Sequence, residues 1–593
     1  MLRLLNVSLL RCEISLTKLL SPETNTLQYF LLFPYLTRRH FANTGYFKMF
    51  TSADVQNAAA KGDEKYPKFP KTFQYGTAGF REKAEELPHI LYRMGLLAAL
   101  RSAVKKAAIG VMVTASHNPV QDNGVKLCDP QGEMLEPAWE KIGTELANTD
   151  DVASYLKKII EDFGLDSSKE KPFVFVGQDT RPSSDFLAKA AIEGAENLGA
   201  LVRDIGIVST PILHFVVASR NASGELGLPT EGGYFNRISS AFVQLKEKEG
   251  LGRENRNYKP EFDFDGANGV GADKMAQFAK MLTEWIDVTH FNTGEGQLNF
   301  NCGADFVKVQ QTKPEGVPLT VNRRGVSVDG DADRIIYFYT DSDNKFHLLD
   351  GDKIATLVAG HLMELVSASG LDIHLGLVQT AYANGSSTEY ISQTLKVPVA
   401  CVPTGVKHLH HKAQEFDVGV YFEANGHGTV IFSKKATNLV RAALENPELT
   451  QAQREAAKKL SLFGELINQT VGDALSDLLL VETILHSKGW SVADWDNAYT
   501  DLPSRQLKVT VKDRNVVSTT DAERKCVTPA GLQDRIDAIV ANFPKGRSFV
   551  RPSGTEDVVR VYAEAESREL ADELAKEVAR AVHDLANGTG PAP

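Results

Sequence analysis

A short apolar run that ends at a polar loop is the feature of this sequence that most restricts its fold. The run Ile109 to Val113 is followed directly by Thr114-Ala115-Ser116-His117-Asn118-Pro119, which predicts a buried strand of an α/β sheet closed by a turn. Ligands of open α/β sheets bind beyond the carboxyl ends of the strands, so Ser116 is predicted to lie where a nucleophile meets substrate. A helix cap is the alternative role for Ser116. A hydrolase nucleophile elbow is excluded, because Thr114 and Asn118 stand where that elbow needs glycines.

Three aspartates at alternate positions form a second candidate site, in the segment Asp329-Gly330-Asp331-Ala332-Asp333-Arg334. Their carboxylates can converge on one hard cation, which prefers oxygen ligands. The segment is not an EF-hand loop, since its sixth position is Arg334 and its twelfth is Thr340. A solvated acidic turn is the alternative. Strand-like runs flank the loop, however, and burying three carboxylates without a cation is costly, so the sequence favours a Mg²⁺ site.

A third candidate site is the loop Arg551-Pro552-Ser553-Gly554-Thr555-Glu556, which precedes an alternating, strand-like run. The arginine, the two hydroxyls and backbone N–H groups beside the glycine would make a concave anion receptor, and Arg560 could reach the same anion from the strand. No Walker lysine follows the glycine, so a phosphate monoester fits better than a nucleoside triphosphate. An ordinary polar loop between two strands is the alternative.

The fourth candidate site is Tyr421-Phe422-Glu423-Ala424-Asn425-Gly426-His427-Gly428. Glu423, Asn425 and His427 alternate, so on extended backbone they would share one face, where they could bond vicinal sugar hydroxyls. A structural role is the alternative for the histidine. The neighbouring carboxylate, amide and glycines favour a binding loop.

In this order the serine, metal, sugar and phosphate loops resemble those of the α-D-phosphohexomutase superfamily, and the resemblance runs from about Phe73 to about Glu566. Tyr75-Gly76-Thr77-Ala78-Gly79-Phe80-Arg81 resembles that family's N-terminal phosphate-contacting turn. Asn301-Cys302-Gly303-Ala304-Asp305-Phe306-Val307-Lys308 is typical of its acetylglucosamine branch. The sugar loop has Glu423-Ala424-Asn425, whereas phosphomannomutases and phosphoglucomutases usually have Glu-x-Ser there.

The resemblance implies an α/β fold with three related α/β mixed-sheet domains and a C-terminal α+β domain around a central cleft. It implies the interconversion of N-acetyl-D-glucosamine 6-phosphate and 1-phosphate, a step towards UDP-N-acetylglucosamine. Phosphate carried on Ser116 and a hexosamine 1,6-bisphosphate, as intermediate and activator, are expected. One Mg²⁺ per chain would offset the charge that develops on the transferring phosphoryl group.

Site residues follow position by position from the resemblance. The expected catalytic residues are Ser116, Lys126, His117, Arg334 and His427. The expected metal ligands are Ser116, Asp329, Asp331 and Asp333. The expected substrate-binding residues are Glu423, Ala424, Asn425, Arg551, Pro552, Ser553, Gly554, Thr555, Arg560, Arg81, Thr404 and Gly405. Lys126 is expected to lie between cations, which would lower its pKa towards the range of a general acid or base.

Three rival functions remain open at this point. A phosphoglucomutase or phosphomannomutase of the same superfamily is the nearest rival, and the sugar loop disfavours it. A metal-dependent sugar phosphatase is a rival from another class, because Asp-x-Asp also occurs at phosphatase nucleophiles. A catalytically inactive sugar-phosphate sensor is disfavoured, because each expected chemical group is present.

Charge and cysteine usage limit the partners. The 593-residue chain has a net charge of −11 and no basic cluster, which argues against nucleic acid and leaves a small sugar phosphate as the expected partner. Five scattered cysteines without CxxC spacing indicate a reducing, cytoplasmic location and no zinc site. No apolar run is long enough to cross a membrane. No obligate protein partner is evident.

The first residues of the chain have two interpretations. Met1 to Lys48 contain two acidic residues, Glu13 and Glu23, against six basic ones. This composition resembles an organellar transit peptide. The alternative is that Met49 is a true or alternative start, because Thr51-Ser52-Ala53-Asp54 begins a plausible capped helix directly after it.

Changes in composition predict five segments. They are an N-terminal extension at 1–49, α/β domains at 50–170, 171–309 and 310–446, and a linker helix with a phosphate-binding α+β domain at 447–593. The second domain would begin with the strand-like segment 172–177. The metal and sugar loops would both belong to the third.

Overall fold

The computed structural model describes residues 47–76, 78–165, 167–168, 170–318, 320–554 and 556–592. The chain divides into two units. Among the described residues, the smaller unit consists of the antiparallel pair Phe47–Lys48 and Ser167–Ser168. The larger unit spans Met49–Asp166 and Glu170–Pro593 and contains every candidate site. The predicted N-terminal extension lies almost wholly outside the described residues.

The strands are numbered in chain order. They are β1 Phe47–Lys48, β2 Phe80–Lys83, β3 Ile109–Val113, β4 Asp122–Cys128, β5 Ser167–Ser168, β6 Phe173–Gln178, β7 Leu201–Ile207, β8 Glu261–Asp265, β9 Asp287–Phe291, β10 Arg324–Val328, β11 Ile335–Thr340, β12 Phe346–Leu349, β13 Leu375–Thr380, β14 Val399–Val402, β15 Val418–Phe422, β16 Gly428–Phe432, β17 Ser504–Thr510, β18 Ser518–Thr520, β19 Lys525–Thr528, β20 Arg547–Pro552 and β21 Val558–Glu564.

Helices connect these strands. The α-helices are Ser52–Lys65, Pro88–Lys105, Pro137–Asn148, Val152–Asp162, Ser184–Asn197, Thr210–Asn221, Glu231–Glu249, Val270–Met281, Ala304–Gln310, Gly351–Ser369, Gly385–Glu389, Val406–Ala413, Lys434–Glu445, Gln451–Leu466, Ala474–Lys488, Val492–Asp496, Leu532–Val540 and Arg568–Leu585. A π-helix spans Tyr390–Leu395, and short 3₁₀ helices occur at Ala84–Glu86 and Arg514–Val516. No helix in the part of the chain that the structure describes is long and apolar enough to cross a membrane.

Three mixed sheets repeat one arrangement. Their strand orders are β2-β4-β3-β6-β7, β12-β11-β10-β8-β9 and β14-β13-β15-β16. Each contains three neighbouring parallel strands, and one of the three also pairs with an antiparallel hairpin partner. The parallel sets are β3-β6-β7, β10-β8-β9 and β15-β13-β14, and the hairpin partners are β4, β11 and β16. The predicted set of related α/β mixed sheets is therefore confirmed.

The C-terminal part of the chain is an antiparallel α+β unit with a separate core. Strands β17, β21 and β20 form its sheet, and the helix Arg568–Leu585 packs on that sheet through Leu574, Val578 and Val582. A hairpin of β18 and β19 stands beside it. Its core excludes residues of the three mixed sheets, which share a much larger apolar cluster with the helices between them.

Two predicted domain boundaries differ from the sheets. Strand β6, expected to open the second domain, pairs in parallel with β3 inside the first sheet. The metal loop, expected in the third domain, connects β10 and β11 of the second sheet. The sequence suggested a break near 170 because a strand-like run begins there, but parallel pairing joins strands that are distant in the chain.

Each of the four candidate loops connects a strand to its antiparallel neighbour. The serine loop joins β3 to β4, the metal loop joins β10 to β11, the sugar loop joins β15 to β16, and the phosphate loop joins β20 to β21. In the three mixed sheets this loop lies at the carboxyl end of a parallel strand, where ligands of α/β sheets bind. The repeat of fold thus places equivalent loops at equivalent positions.

Two helices flanking the first sheet approach so closely that their contact requires glycine. A Cβ at Gly95, in Pro88–Lys105, would lie 2.0 Å from the backbone oxygen of Ala191 in Ser184–Asn197. We expect Gly95→Ala to destabilise the protein by about 1–3 kcal/mol, because the helices must separate, despite the roughly 1 kcal/mol of helix propensity that alanine adds. Thermal unfolding measures the effect.

Gly464→Ala is the matched control, since the nearest atom to a Cβ at this helical glycine would lie 3.8 Å away. Its melting temperature should equal or exceed that of the wild type. Equal melting temperatures for Gly95→Ala and the wild type would contradict the close-packing argument.

Candidate active site

Ser116 occupies a buried and strained position at the end of β3. Its backbone φ is 54°, in the left-handed region that non-glycine residues seldom adopt. Its backbone N–H donates to Thr114 Oγ1 at 3.0 Å, and its hydroxyl donates to Asp329 Oδ2 at 2.6 Å. Ser116 therefore does not act as a helix cap in this structure, because its side chain bonds the metal loop instead.

Two side chains hold the serine loop by its carbonyl groups. Arg181 Nη2 donates to the carbonyl oxygens of Ser116 at 2.9 Å and Asn118 at 3.0 Å. Asn299 Nδ2 donates to the same two oxygens at 2.9 Å and 3.2 Å. Asp179 fixes the guanidinium through a 3.0 Å contact with Nε. This clamp stabilises the left-handed backbone of Ser116.

Arg181 and Asn299 are not among the site residues expected from the sequence. For Arg181 a signal existed, because Asp179-Thr180-Arg181 directly follows the strand β6, where site loops are expected. For Asn299 no local pattern distinguished it from an ordinary turn residue. Asn299 contacts Ser116, from which it is 183 positions distant in the sequence.

The three aspartates of the metal loop are buried and converge. One carboxylate oxygen from each lies within 4.8 Å of the others. Burial and the neighbouring carboxylates raise the pKa of Asp329 well above its usual range. Asp331 Oδ1 and Asp333 Oδ1 accept no hydrogen bond from any residue that the structure describes. Unpartnered buried oxygens beside a serine hydroxyl form an all-oxygen donor set, and this set fits a hard divalent cation.

Lys126 lies on β4 and contacts the metal loop. Its Nζ is 3.1 Å from Asp331 Oδ2 and 3.3 Å from Asp333 Oδ2. Burial by itself lowers the pKa of Lys126, but the two carboxylates outweigh burial, and the pKa is raised. The expectation of a lowered pKa was therefore wrong for this arrangement, because the nearest charges are anions rather than cations.

Both predicted histidines lie near the aspartates. His117 Nδ1 is 3.4 Å from Ser116 Oγ, and burial, with Arg334 nearby, lowers the pKa of His117 to about 2. Its imidazole is therefore neutral at physiological pH. His427 Nδ1 contacts the carbonyl oxygen of Asp333 at 2.9 Å, so Nδ1 must donate. Nε2 of that ring has no hydrogen-bond partner among the described residues.

Arg81 and Arg334 bring positive charge to the same region. Arg334 Nε lies 3.9 Å from both Asp329 Oδ2 and Asp333 Oδ1. Burial, followed by the charge of Arg334, lowers the pKa of Arg81. Arg81 Nε has no hydrogen-bond partner within the described ranges. A buried guanidinium with a free donor favours an anionic ligand.

The sugar loop is a turn rather than extended backbone. Glu423 to His427 connect β15 to β16, whose register pairs Phe422 with Gly428. Asn425 Nδ2 donates to Glu423 Oε2 at 3.3 Å, and the Asn425 carbonyl side-chain oxygen accepts from His427 N at 3.0 Å. The expectation of one shared strand face was therefore wrong. The turn instead directs Glu423 and His427 to the cleft described below and uses Asn425 to brace them.

The phosphate loop follows β20, and its two arginines share a sheet face. Arg551 pairs directly with Arg560 in the antiparallel register, so both side chains emerge on the same side. Arg551 Nε donates to the hydroxyl of Tyr382 at 3.1 Å. Ser553 is buried and Gly554 is exposed. Thr555, also predicted to bind substrate, lies outside the described residues.

A cleft of about 340 Å³ is lined by residues of β4 and of the metal, sugar and phosphate loops. The predicted site residues that line it are Arg81, Lys126, Asp333, Arg334, Thr404, Gly405, Glu423, His427, Arg551 and Gly554. Among the predicted site residues that the structure describes, its lining does not include Ser116, His117, Asp329, Asp331, Ala424, Asn425, Pro552, Ser553 or Arg560. Ser116 adjoins the cleft through the metal loop. A hydroxyl, three converging carboxylates and a ring of cations suit phosphoryl transfer to or from a sugar phosphate.

Family models match most of the chain. The model described as "Phosphoacetylglucosamine mutase AMG1, domain III" matches residues 350–490, and that for domain II of the same family matches residues 226–336. Models for phosphoglucomutase/phosphomannomutase match residues 84–153 and 141–227 with alpha/beta/alpha domain I, and residues 507–581 with the C-terminal domain.

Curated relatives are similar over nearly their whole length. The chain is 54% identical over 524 residues to phosphoacetylglucosamine mutase of Sus scrofa, covering 88% of this chain and 95% of that protein. It is 53% identical to the Homo sapiens phosphoacetylglucosamine mutase, with the same coverage. The Candida albicans phosphoacetylglucosamine mutase is 46% identical over 541 residues, 87% of this chain and 98% of that protein.

Solved structures agree with these relatives. Aspergillus fumigatus N-acetylphosphoglucosamine mutase in complex with GlcNAc-6P and magnesium has a TM-score of 0.85 and 46% identity, covering 90% of this chain and 99% of that one. A variant of the same fungal enzyme in complex with glucose 1,6-bisphosphate has a TM-score of 0.84 and 45% identity, covering 91% and 100%. The fold, the four loops and these similarities together show that the chain belongs to the phosphoacetylglucosamine mutase family, within the α-D-phosphohexomutase superfamily.

Proposed function

We propose that this chain interconverts N-acetyl-D-glucosamine 6-phosphate and N-acetyl-D-glucosamine 1-phosphate, with Ser116 carrying the phosphoryl group between turnovers. The observation that supports this most directly is the 2.6 Å hydrogen bond from the Ser116 hydroxyl to Asp329 Oδ2 of the buried aspartate cluster. It places the phosphate acceptor beside a cation site that can stabilise the transferring phosphoryl group.

The residues of the cleft would position the substrate for this reaction. Arg551, Ser553 and Gly554 would bind the 6-phosphate of the substrate, while Glu423 would bond its hydroxyls. The sugar 1-hydroxyl would then face Ser116. Mg²⁺ held by Asp329, Asp331 and Asp333, with Ser116 as a further ligand, would stabilise charge on the phosphoryl oxygens. The Aspergillus relative solved in complex with GlcNAc-6P and magnesium supports a sugar phosphate and a magnesium ion as the ligands of this cleft.

Proton transfer would fall to residues at the cleft wall. Lys126 stands beside the aspartates and could exchange a proton with the sugar hydroxyl once a cation shares those carboxylates. His427 offers a ring nitrogen, Nε2, that has no partner among the described residues, and Arg334 adds positive charge. His117 is neutral and adjoins Ser116 Oγ, so it could accept but not donate as an imidazolium.

The second half-reaction requires a 1,6-bisphosphate that turns within the cleft. Transfer from phosphorylated Ser116 to the 1-hydroxyl gives this intermediate, and its 6-phosphate must then meet Ser116 while the 1-phosphate takes the receptor beside Arg551. The fungal variant solved with glucose 1,6-bisphosphate supports a bisphosphate in such a cleft. Hexosamine 1,6-bisphosphate would also act as activator by loading an unphosphorylated enzyme.

The apolar part of the cleft favours an acetylated sugar over glucose or mannose. Leu135, Val406 and Val471 line the same cleft as the charged residues, and they can cover the acetyl methyl group. The phosphoglucomutase or phosphomannomutase alternative lacks a group to use this surface. Neither this observation nor the relatives favour the sugar phosphatase.

Several expectations stay predictions. They are a cytoplasmic location, a place on the route to UDP-N-acetylglucosamine, and the absence of nucleic-acid, membrane and obligate protein partners. The two interpretations of residues 1–48 also stay open.

Replacing the phosphate carrier should abolish turnover. Ser116→Ala is expected to lower kcat by about 10³-fold or more, because no other group can accept the phosphoryl at that position. Peptide mapping of the wild type should find phosphate on Ser116 and none in the variant. Ser369→Ala is the control and should stay active, because it changes another buried serine whose hydroxyl donates to the Val366 carbonyl oxygen at 2.7 Å and accepts from the Leu371 N–H at 3.3 Å. Full mutase activity in Ser116→Ala would disprove the mechanism.

Metal removal should affect both stability and activity. Mg²⁺ is expected to raise the melting temperature, since a ligand at 100 times its Kd stabilises the folded state by about 2.7 kcal/mol. Asp331→Asn should lose this rise and the activity, whereas the exposed-turn variant Asp343→Asn should keep both. A chelator should reverse the effect in the wild type. An equal Mg²⁺-dependent rise in Asp331→Asn would contradict the assigned site.

The serine clamp should act on chemistry more than on binding. Asn299→Ala is expected to lower kcat by about 10- to 100-fold and to change KM by less than about threefold, because it misplaces Ser116 without touching substrate. Asn344→Ala is the matched control, since Asn299 and Asn344 have similar left-handed φ values of 56° and 61°. A purely structural role for Asn299 would give both variants the same kcat and the same loss of stability.

A further inference from the structure

The tip of the β18–β19 hairpin contacts residues that line the substrate cleft. The carboxylate of Glu523 accepts two hydrogen bonds from Thr404, one from the backbone N–H at 3.0 Å and one from the hydroxyl. Thr404 and the following Gly405 line the cleft. Glu523 belongs to the C-terminal unit, and Thr404 follows β14 of the third sheet. This contact therefore joins the two walls of the cleft, one formed by the C-terminal unit and the other by the third sheet.

The same carboxylate faces the phosphate receptor. Glu523 Oε1 lies 3.8 Å from Arg551 Nη1, and each side chain is only 17% exposed. Arg551 is the arginine that begins the phosphate loop. The groups around Glu523 are therefore a guanidinium, a backbone N–H and a hydroxyl, the donors that recognise a phosphate monoester. In the structure these donors surround the carboxylate of Glu523 instead of a phosphate.

The hairpin tip has a backbone that its surroundings must hold in place. Asp521, Ala522 and Glu523 have φ values of 53°, 54° and 69°, three successive left-handed residues without a glycine. Arg524 stabilises the turn, since its N–H and its Nε each donate to the Asp521 carbonyl oxygen at 3.1 Å. Left-handed backbone at non-glycine residues costs free energy. It persists where several surrounding contacts hold it in place, often at ligand sites. Here the result is to present Glu523 to Thr404 and Arg551.

We propose that Glu523 is a specificity-determining residue whose carboxylate fills the anion subsite between Thr404 and Arg551 until a substrate phosphate displaces it. The inference rests on the proposed function, since it names the residue that sets phosphate affinity at that same receptor. A phosphate dianion has more charge and more acceptor oxygens than a carboxylate, so it can take over all of these donors. Weaker anions cannot compete with the internal carboxylate. Substrate entry is thereby coupled to release of the contact between the two walls.

The test compares variants of Glu523 in the full-length protein. Glu523→Gln keeps an acceptor for Thr404 but removes the charge, and Glu523→Ala removes both. In both variants we expect the inhibition constant of inorganic phosphate to fall by about 3- to 10-fold, and KM for N-acetylglucosamine 6-phosphate to fall in parallel, because phosphate no longer displaces an anion. The inhibition constant of inorganic sulfate should fall by at least the same factor.

Asp521→Asn is the matched control, because it removes one negative charge from the same hairpin tip while its side chain contacts Arg524 rather than the cleft. Its inhibition constant for inorganic phosphate and its KM should stay within about twofold of the wild-type values. A KM that rises, or falls by less than about threefold, in the Glu523 variants would overturn the proposal. So would failure of both variants to fold, since a competitor that substrate displaces cannot be needed for folding.

Calorimetric titration with inorganic phosphate separates this inference from the reaction itself. If the wild type proved inactive as a mutase, the proposed function would fail, while tighter phosphate binding in Glu523→Gln would still support the internal competitor. If the wild type is active and phosphate binding is unchanged in both variants, the inference fails and the proposed function stands.

Discussion

The contact of Ser116 with three buried carboxylates is the constraint on which the rest of the site depends. Packing this much negative charge away from water is unfavourable unless other groups offset it. Thr210 donates to Asp331 at 2.6 Å, backbone N–H groups donate to Asp329, and Lys126 stands between Asp331 and Asp333. The oxygens that remain unpartnered define where a cation fits. The left-handed backbone of Ser116 is needed because it turns the hydroxyl towards that point.

The fold brings distant loops together because each mixed sheet repeats the same connection between a parallel strand and its antiparallel neighbour. The serine, metal and sugar loops each leave the carboxyl end of a parallel strand and return through an antiparallel neighbour. Close backbone contacts lock the loops to one another: a Cβ at Gly330 would lie 2.5 Å from the Ser116 carbonyl oxygen, and one at Gly426 would lie 1.9 Å from that of Ile335. Loops at equivalent ends of related sheets can therefore share one cleft without any loop being long.

The sequence could predict what is encoded locally. The aspartate spacing, the serine after β3 and the arginine–glycine loop each lie within a few residues, and the fold class followed from them with the family resemblance. Properties that depend on distant partners could not be predicted. The raised pKa of Lys126 depends on aspartates more than 200 residues away, and the clamp of Arg181 and Asn299 converges from two sheets. The turn of the sugar loop was missed because alternation of polar residues does not distinguish a strand from a hairpin loop.

The C-terminal unit carries the phosphate receptor and is attached to the third sheet through a few residues. The unit has its own core, and it contacts the third sheet through a short segment in which Arg547 donates to the carbonyls of Ala381 at 2.9 Å and Ala383 at 2.6 Å. Tyr382 packs there against Phe549 and Tyr562. The phosphate receptor therefore belongs to a unit with its own core, joined to the third sheet by a small shared apolar cluster that contains Ala381, Phe549 and Tyr562. The hydrogen bond from Thr404 to Glu523 is a second contact between this unit and the segment after β14. If Glu523 competes with substrate phosphate as proposed, ligand charge decides whether this second contact persists.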